Sequence, residues 1–226
     1  MNDEGRGASE TEEPGAAAGE AAAYRQMFRS HDRDRARRAG WAAAIAERLT
    51  RHLCPRSVVD VGCGLGFFLA AMRARGADRL RGVDADWVEG LQTEVPRDRY
   101  AIHDLEQPYA DAERYDLAAC LEVAEHLSAA RGPGLIDDLT RLSDVVLFSA
   151  AVPGQGGRGH VNCRWQSEWA EAFAARGFAC HDPFRREIAA VEGMAPWFAQ
   201  NLLLYIREGA PVPDSLAPHR IAPRAA

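Results

Sequence analysis

The sequence predicts an α/β fold, a doubly wound and mostly parallel sheet with helices on both faces. Three observations carry this. Val58-Val59-Asp60-Val61 is a short β-branched run of the kind buried inside a parallel sheet. The glycine turn Gly62-Cys63-Gly64-Leu65-Gly66 follows at once, and Phe67 to Met72 then open a helix. Further apolar runs at 80–84, 100–105, 115–122 and 144–149 alternate with helical stretches, the first three running into Asp84, Asp104 and Glu122. A strand, a glycine turn and a helix N-terminus make a ligand cradle at the carboxyl end of a strand. Gly62 and Gly64 let the backbone approach a ligand closely, and the Asp60 carboxylate is expected beside it.

Composition narrows the classes. The 226 residues suit one domain with appendages, and 47% hydrophobic residues suffice for a sizeable core. A net charge of −6 argues against a general nucleic-acid binder. All 27 basic residues are arginine, which excludes Schiff-base chemistry and a Walker-type phosphate lysine. The five cysteines are widely spaced and form no C-x-x-C, so neither a disulfide framework nor a zinc site is indicated. The acidic start lacks an apolar signal region, and no run is long enough to span a membrane, so a cytoplasmic protein is expected.

Along the chain, residues 1–19 are rich in Glu, Gly and Ala and read as a disordered tail. Residues 20–56 read as an N-terminal helical cap, with Tyr24, Met27 and Phe28 on one face of a first helix. That stretch is crowded with arginines, read either as a solvated face partly paired with Asp32 and Asp34 or as a lid over an acidic acceptor. A second helix is expected from Ala36 to Leu53, ended by Pro55. The main domain covers 57–208. Its later elements are a helix starting near Trp87, helices over 133–142 and 167–176, a strand from Phe178, and a last strand over 197–206. From Gly209 the Pro- and Ala-rich end reads as a flexible tail. Residues 152–164 are too glycine-rich for regular structure and follow a strand end, which marks a ligand-side loop.

Asp60-Val61-Gly62-Cys63-Gly64-Leu65-Gly66 resembles motif I of the class I S-adenosylmethionine-dependent methyltransferases. A nicotinamide fingerprint, G-x-G-x-x-G, would need a glycine where Phe67 stands. Gly82-Val83-Asp84-Ala85-Asp86 is similar to the family's ribose-binding motif, with Asp84 lying 22 residues beyond Gly62. The alternative for Asp84 is a helix N-cap. The resemblance implies that Asp84 bonds the ribose hydroxyls and Asp104 the adenine amino group, with Leu105 beside the ring. Asp60, Gly62, Cys63, Gly64, Gly66, Ala85 and Leu121 complete the implied cofactor contacts. It further implies a Rossmann-like, seven-stranded sheet with an antiparallel last strand, and methylation of a small-molecule acceptor, on oxygen or nitrogen.

Glu122-Val123-Ala124-Glu125-His126-Leu127 resembles the E-V-x-E-H-L phrase of ubiquinone-type and small-RNA 2′-O-methyltransferases. There the phrase is associated with a metal that draws in the acceptor hydroxyl, so Glu122, Glu125, His126 and His160 are the implied candidates for a divalent ion. Without a metal, His160 and His126 are the candidate bases, both on loops at strand ends. Gln155 and Asn162 either bond the acceptor or hold the loop, and Trp165 and Trp169 read as packing. A cofactor-binding protein without catalysis, or an enzyme acting on a larger acceptor, fits the same motifs.

Overall fold

The structure, a computed structural model, describes residues 24–222 except 28, 31 and 32. The expected disordered tail and Phe28 therefore lie outside the described residues. The seven strands are β1 (Ser57–Val61), β2 (Arg79–Asp84), β3 (Tyr100–Ile102), β4 (Leu117–Leu121), β5 (Val145–Ser149), β6 (Phe178–His181) and β7 (Leu203–Arg207). They form one sheet in the order β3-β2-β1-β4-β5-β7-β6. Six run in one direction, and β7 is antiparallel to both β5 and β6. The α-helices are α1 (Arg35–Thr50), α2 (Phe67–Ala74), α3 (Gly132–Leu142), α4 (Gln166–Ala174), α5 (Arg185–Ala189) and α6 (Pro196–Asn201).

The inner strands β1, β4, β5 and β7 are buried on both faces, as strands covered by helices must be, while β3 at the edge leaves Ile102 exposed. Alternate residues feed two cores. Val59, Ala118, Val146 and Tyr205 face α3 and α4, where Phe173 stacks on Tyr205 with ring centroids 3.8 Å apart. Val58, Leu117, Leu147 and Leu204 face α1, α2 and α5. The order of connection reverses between β1 and β4, which pair with each other in parallel. An open α/β sheet binds its ligand at the carboxyl edge beside that reversal.

Three expectations change. The last strand is shorter than the apolar run suggested: Pro196 begins a helix at its first turn, and Trp197 and Phe198 pack on Trp41 instead of joining the sheet. The helix expected near Trp87 is a single 3-10 turn, Asp86–Val88, followed by Gly90 at φ 76°. The segment after β7, expected to be a flexible tail, lies along the outer edge of β6: Asp182 donates to the His219 carbonyl, Ile221 donates to that of Cys180, and Leu216 is fully buried. Its single large apolar anchor is hidden in Pro-rich composition. No helix among the described residues is long and apolar enough to cross a membrane.

Candidate active site

The glycine turn is fixed to the end of β2. Gly62 and Cys63 both donate to the Val83 carbonyl, at 2.7 and 3.2 Å. Asp84 completes the tie: one carboxylate oxygen accepts from Gly64 N at 2.7 Å, the other from Ala85 N at 2.8 Å. Each oxygen retains a lone pair for a ligand. The glycines have different reasons. A side chain on Gly62 would collide with Val123, and one on Gly66 with the Tyr100 hydroxyl, both at positive φ. Gly66 thus serves the packing of α2 on β3 and does not line the cavity.

Above the turn opens a cavity of about 870 Å³. Asp60, Gly62, Cys63, Gly64, Asp84, Ala85, Asp104, Leu105 and Leu121 all line it. Its floor is polar. Asp60 and Asp84 are both buried. Burial, reinforced by the Asp84 carboxylate, raises the Asp60 pKa to about 8. Burial raises Asp84 to about 6, opposed by the N–H groups of Gly64 and Ala85. Asp104 stands at the rim and accepts from Glu106 N in its own turn, so the turn-forming role holds whether or not it also meets a ligand. The 105–107 segment is held from behind by Arg131, whose buried guanidinium donates to the carbonyls of Leu105 and Gln107 and pairs with Asp138.

The second half of the site lies just after β4. Glu122 sits at φ 57°, a conformation side chains seldom adopt, and the chain then makes a 3-10 turn, Ala124–His126, not the regular helix that i, i+3, i+4 spacing suggested. The carboxylate of Glu122 accepts from Asn201 Nδ2 at 3.2 Å and Gln155 Nε2 at 3.3 Å. Glu125 is fully buried; neither of its oxygens makes a hydrogen bond of good geometry among the described residues, and its polar neighbours are the Glu122 carboxylate and the backbone N–H groups of Glu125 and Ala151. Burial and the neighbouring Glu122 raise its pKa to about 8. His126 Nδ1 lies 3.0 Å from the Tyr24 hydroxyl and 3.2 Å from the Gly159 carbonyl. Burial, with His160 alongside, lowers its pKa to about 4 against the pull of that carbonyl, so its imidazole is neutral at neutral pH.

The glycine-rich loop arrives where expected. Val161 and Asn162 donate to the Glu125 carbonyl, and Asn162 Nδ2 to that of Ala124, so Asn162 holds the loop. His160 lies edge-on to His126, with ring centroids 4.9 Å apart. Ligand atoms of Glu125, His126 and His160 fall within 4.8 Å of one another, near enough for one metal ion. Glu122 stays outside that trio, occupied with the two amides. Gln155 lines the cavity and orients Glu122. Trp169 is buried against Phe148, while Trp165 is exposed at the start of α4. Sequence reasoning missed Trp41, Trp197 and Phe198 as cavity residues, and named Arg38 only among the arginines of a solvated face or lid. They come from α1 and α6, distant in sequence, and their helical spacing reads as ordinary packing.

Three solved structures are similar in fold. A complex titled DhpI-SAH is 17% identical with a TM-score of 0.56, over 84% of this chain and 96% of that one. Magnesium protoporphyrin IX methyltransferase from Synechocystis PCC 6803, solved with bound SAH, is 16% identical with a TM-score of 0.52, over 76% and 84% of the two chains. An O-methyltransferase family protein from Burkholderia thailandensis is 13% identical with a TM-score of 0.54, over 84% and 60%. A sequence search of curated proteins finds no match. A family model described as a methyltransferase domain matches residues 32–182, which takes in α1, the glycine turn, both acidic strand ends and the 155–162 loop. The chain belongs to that methyltransferase family.

Proposed function

We propose that the protein transfers a methyl group from S-adenosylmethionine to a hydroxyl of a small-molecule acceptor. The observation that carries this is the continuity of one cavity, from the glycine turn and Asp84 to the Glu125–His126–His160 trio. The fit to the cofactor is chemical. The ligand's positive sulfonium and ammonium suit a floor that carries Asp60 and Asp84 already buried, and its ribose suits the remaining lone pairs of Asp84. Bound there, the cofactor supplies an electrophilic methyl. The chain's own residues hold it, exclude water and place the acceptor in line with it.

An oxygen nucleophile must lose its proton. The neutral imidazole of His126 and the ring of His160 beside it are placed to take it, His160 being in the more open position on its loop. A second reading is favoured by the trio itself: Glu125, His126 and His160 would hold a divalent ion that lowers the pKa of the acceptor hydroxyl. The buried Glu125 carboxylate makes no hydrogen bond of good geometry among the described residues and faces the Glu122 carboxylate, a setting that a cation would relieve.

Calorimetry should show S-adenosylmethionine binding, and a panel of phenols, alcohols and amines should give S-adenosylhomocysteine with a hydroxyl acceptor. Binding without turnover of any acceptor would instead make the protein a non-catalytic cofactor binder. Complete chelation followed by add-back of single metals separates the two mechanisms. Activity that survives chelation leaves His160 as the base, whereas activity restored by magnesium, manganese or zinc assigns the trio to a metal.

A further inference from the structure

The cavity is divided by charge. Every carboxylate that lines it (Asp60, Asp84, Asp104, Glu106, Glu122 and Glu125) belongs to the strand ends and the turns just after them. The opposite wall is built by residues 24–27, α1, the 155–160 loop and α6. It carries no carboxylate among the described residues, and its charged groups are Arg38 and Arg158.

Arg38 is the more informative of the two, because it is half-buried and has no partner for its guanidinium among the described residues. No described residue forms an ion pair or side-chain hydrogen bond with it, and its Nε is buried with no partner. The group lies over the Trp41 ring at 5.6 Å from the centroid. Burial lowers its pKa to about 10, with Asp34 opposing and Arg37 adding to the shift. Asp34 is itself paired with Arg37. A cation taken out of water without a counterion is costly, and a bound anion offsets that cost. Flat apolar surface lies next to it. Trp41, fixed by its Nε1 donating to the Gly193 carbonyl at 2.7 Å, meets Trp197 edge-on at 5.5 Å and Phe198 at 6.3 Å. All three rings line the cavity.

We propose that this wall recognises the acceptor, and that the acceptor is a planar organic acid whose carboxylate pairs with Arg38 while its ring lies against Trp41, Trp197 and Phe198. The inference rests on the methyltransferase reading and names its acceptor class. The carboxylate is a handle, not the methylated group. The nucleophilic hydroxyl belongs where the two walls meet, between His126 after β4 and His160 on the facing loop.

The test uses the full chain saturated with S-adenosylhomocysteine. The probes are 3,4-dihydroxybenzoate and 3,4-dihydroxycinnamate, each set against its carboxamide. The acids should bind about tenfold more tightly than the amides, the loss expected when a charge-assisted pair is replaced by a neutral contact. Arg38→Met should erase that preference while leaving S-adenosylmethionine affinity at the wild-type value, and Arg38→Lys should retain part of it. Equal binding of acids and amides by wild type, or no binding of either acid, overturns the proposal. So does an Arg38→Met variant that loses S-adenosylmethionine affinity yet still prefers acids, because the guanidinium would then serve the cofactor's own carboxylate. Wild-type protein that fails to bind S-adenosylmethionine overturns the methyltransferase reading alone, since the preference for acids can still be read on the cofactor-free protein.

Discussion

Both oxygens of Asp84 are already engaged by the backbone N–H groups of Gly64 and Ala85, so this side chain shapes the glycine turn before it meets any ligand. Asp84→Ala should therefore weaken S-adenosylmethionine binding by about 1.5–3 kcal/mol, the range for hydrogen bonds to a charged group. Calorimetry reads this as a rise in Kd of about 10- to 150-fold. Asp84→Asn, which keeps an acceptor oxygen, should lie between. An unchanged Kd in Asp84→Ala removes Asp84 from the cofactor site. Asp60 makes a different prediction. Its folded pKa of about 8 lies above the ordinary carboxyl value, so the native state keeps a proton that the unfolded chain releases. The stability this gives is fully present below about pH 4 and is lost as pH rises through about 8. Asp84, raised to about 6, acts in the same sense over a lower window. The ligand-free protein should thus lose thermal stability between about pH 5 and 8, and Asp60→Asn should flatten that slope. Melting curves across the range check it, and a slope unaltered by the substitution would sink the assignment.

The element that closes the site is the N-terminal segment. Tyr24 stacks on Trp87 at 5.2 Å and reaches His126, Arg25 pairs with Asp86 at 2.7 Å, and Arg35 pairs with Glu94. These contacts latch Tyr24, Arg25 and Arg35 to the turns after β2, across the cavity mouth. Exposed ion pairs of this kind are weak, so the latch can open for exchange of ligands. We expect amide exchange over 24–38 to slow when S-adenosylmethionine and acceptor are both bound, and Tyr24→Phe to lose part of that protection. Equal exchange with and without ligands would make the segment a fixed wall. The reading of arginines as either paired or lid-forming is answered residue by residue: Arg25, Arg35 and Arg37 have acidic partners, whereas Arg38 has none among the described residues. Sequence alone could not separate them, because their partners Asp86 and Glu94 stand some 60 residues away and helical spacing says nothing about them.

At the scale of the whole molecule, the part legible in advance was the part that repeats a local rule. Strands β1, β2, β4 and β5 are short β-branched or apolar runs with turn-forming ends, and each is found within about two residues of its expected span. The floor of the site follows from them, since a residue at a strand end must stand at the sheet's carboxyl edge. What was not legible depends on long-range packing: α6 in place of strand at Trp197, the cavity wall contributed by α1, and the course of the chain after β7. The last of these carries a prediction about the fold. β6 is the outermost strand, and residues 217–221 cover its free edge with backbone hydrogen bonds from Asp182 and Ile221. Leu216 pins that segment into the same core as α1 and α5. Leu216→Ala should cost about 2–5 kcal/mol, as for other fully buried leucines. Each kcal/mol lowers Tm by roughly 2–4 °C in a domain of this size. The site lies at the carboxyl edge beside β1 and β4, four and three strands from β6, so S-adenosylmethionine affinity below the melting range should stay at the wild-type value. A variant that melts normally would show the segment to be only draped on the sheet. One that loses cofactor affinity while fully folded would show that the covered edge and the cavity are coupled through α5 and α6.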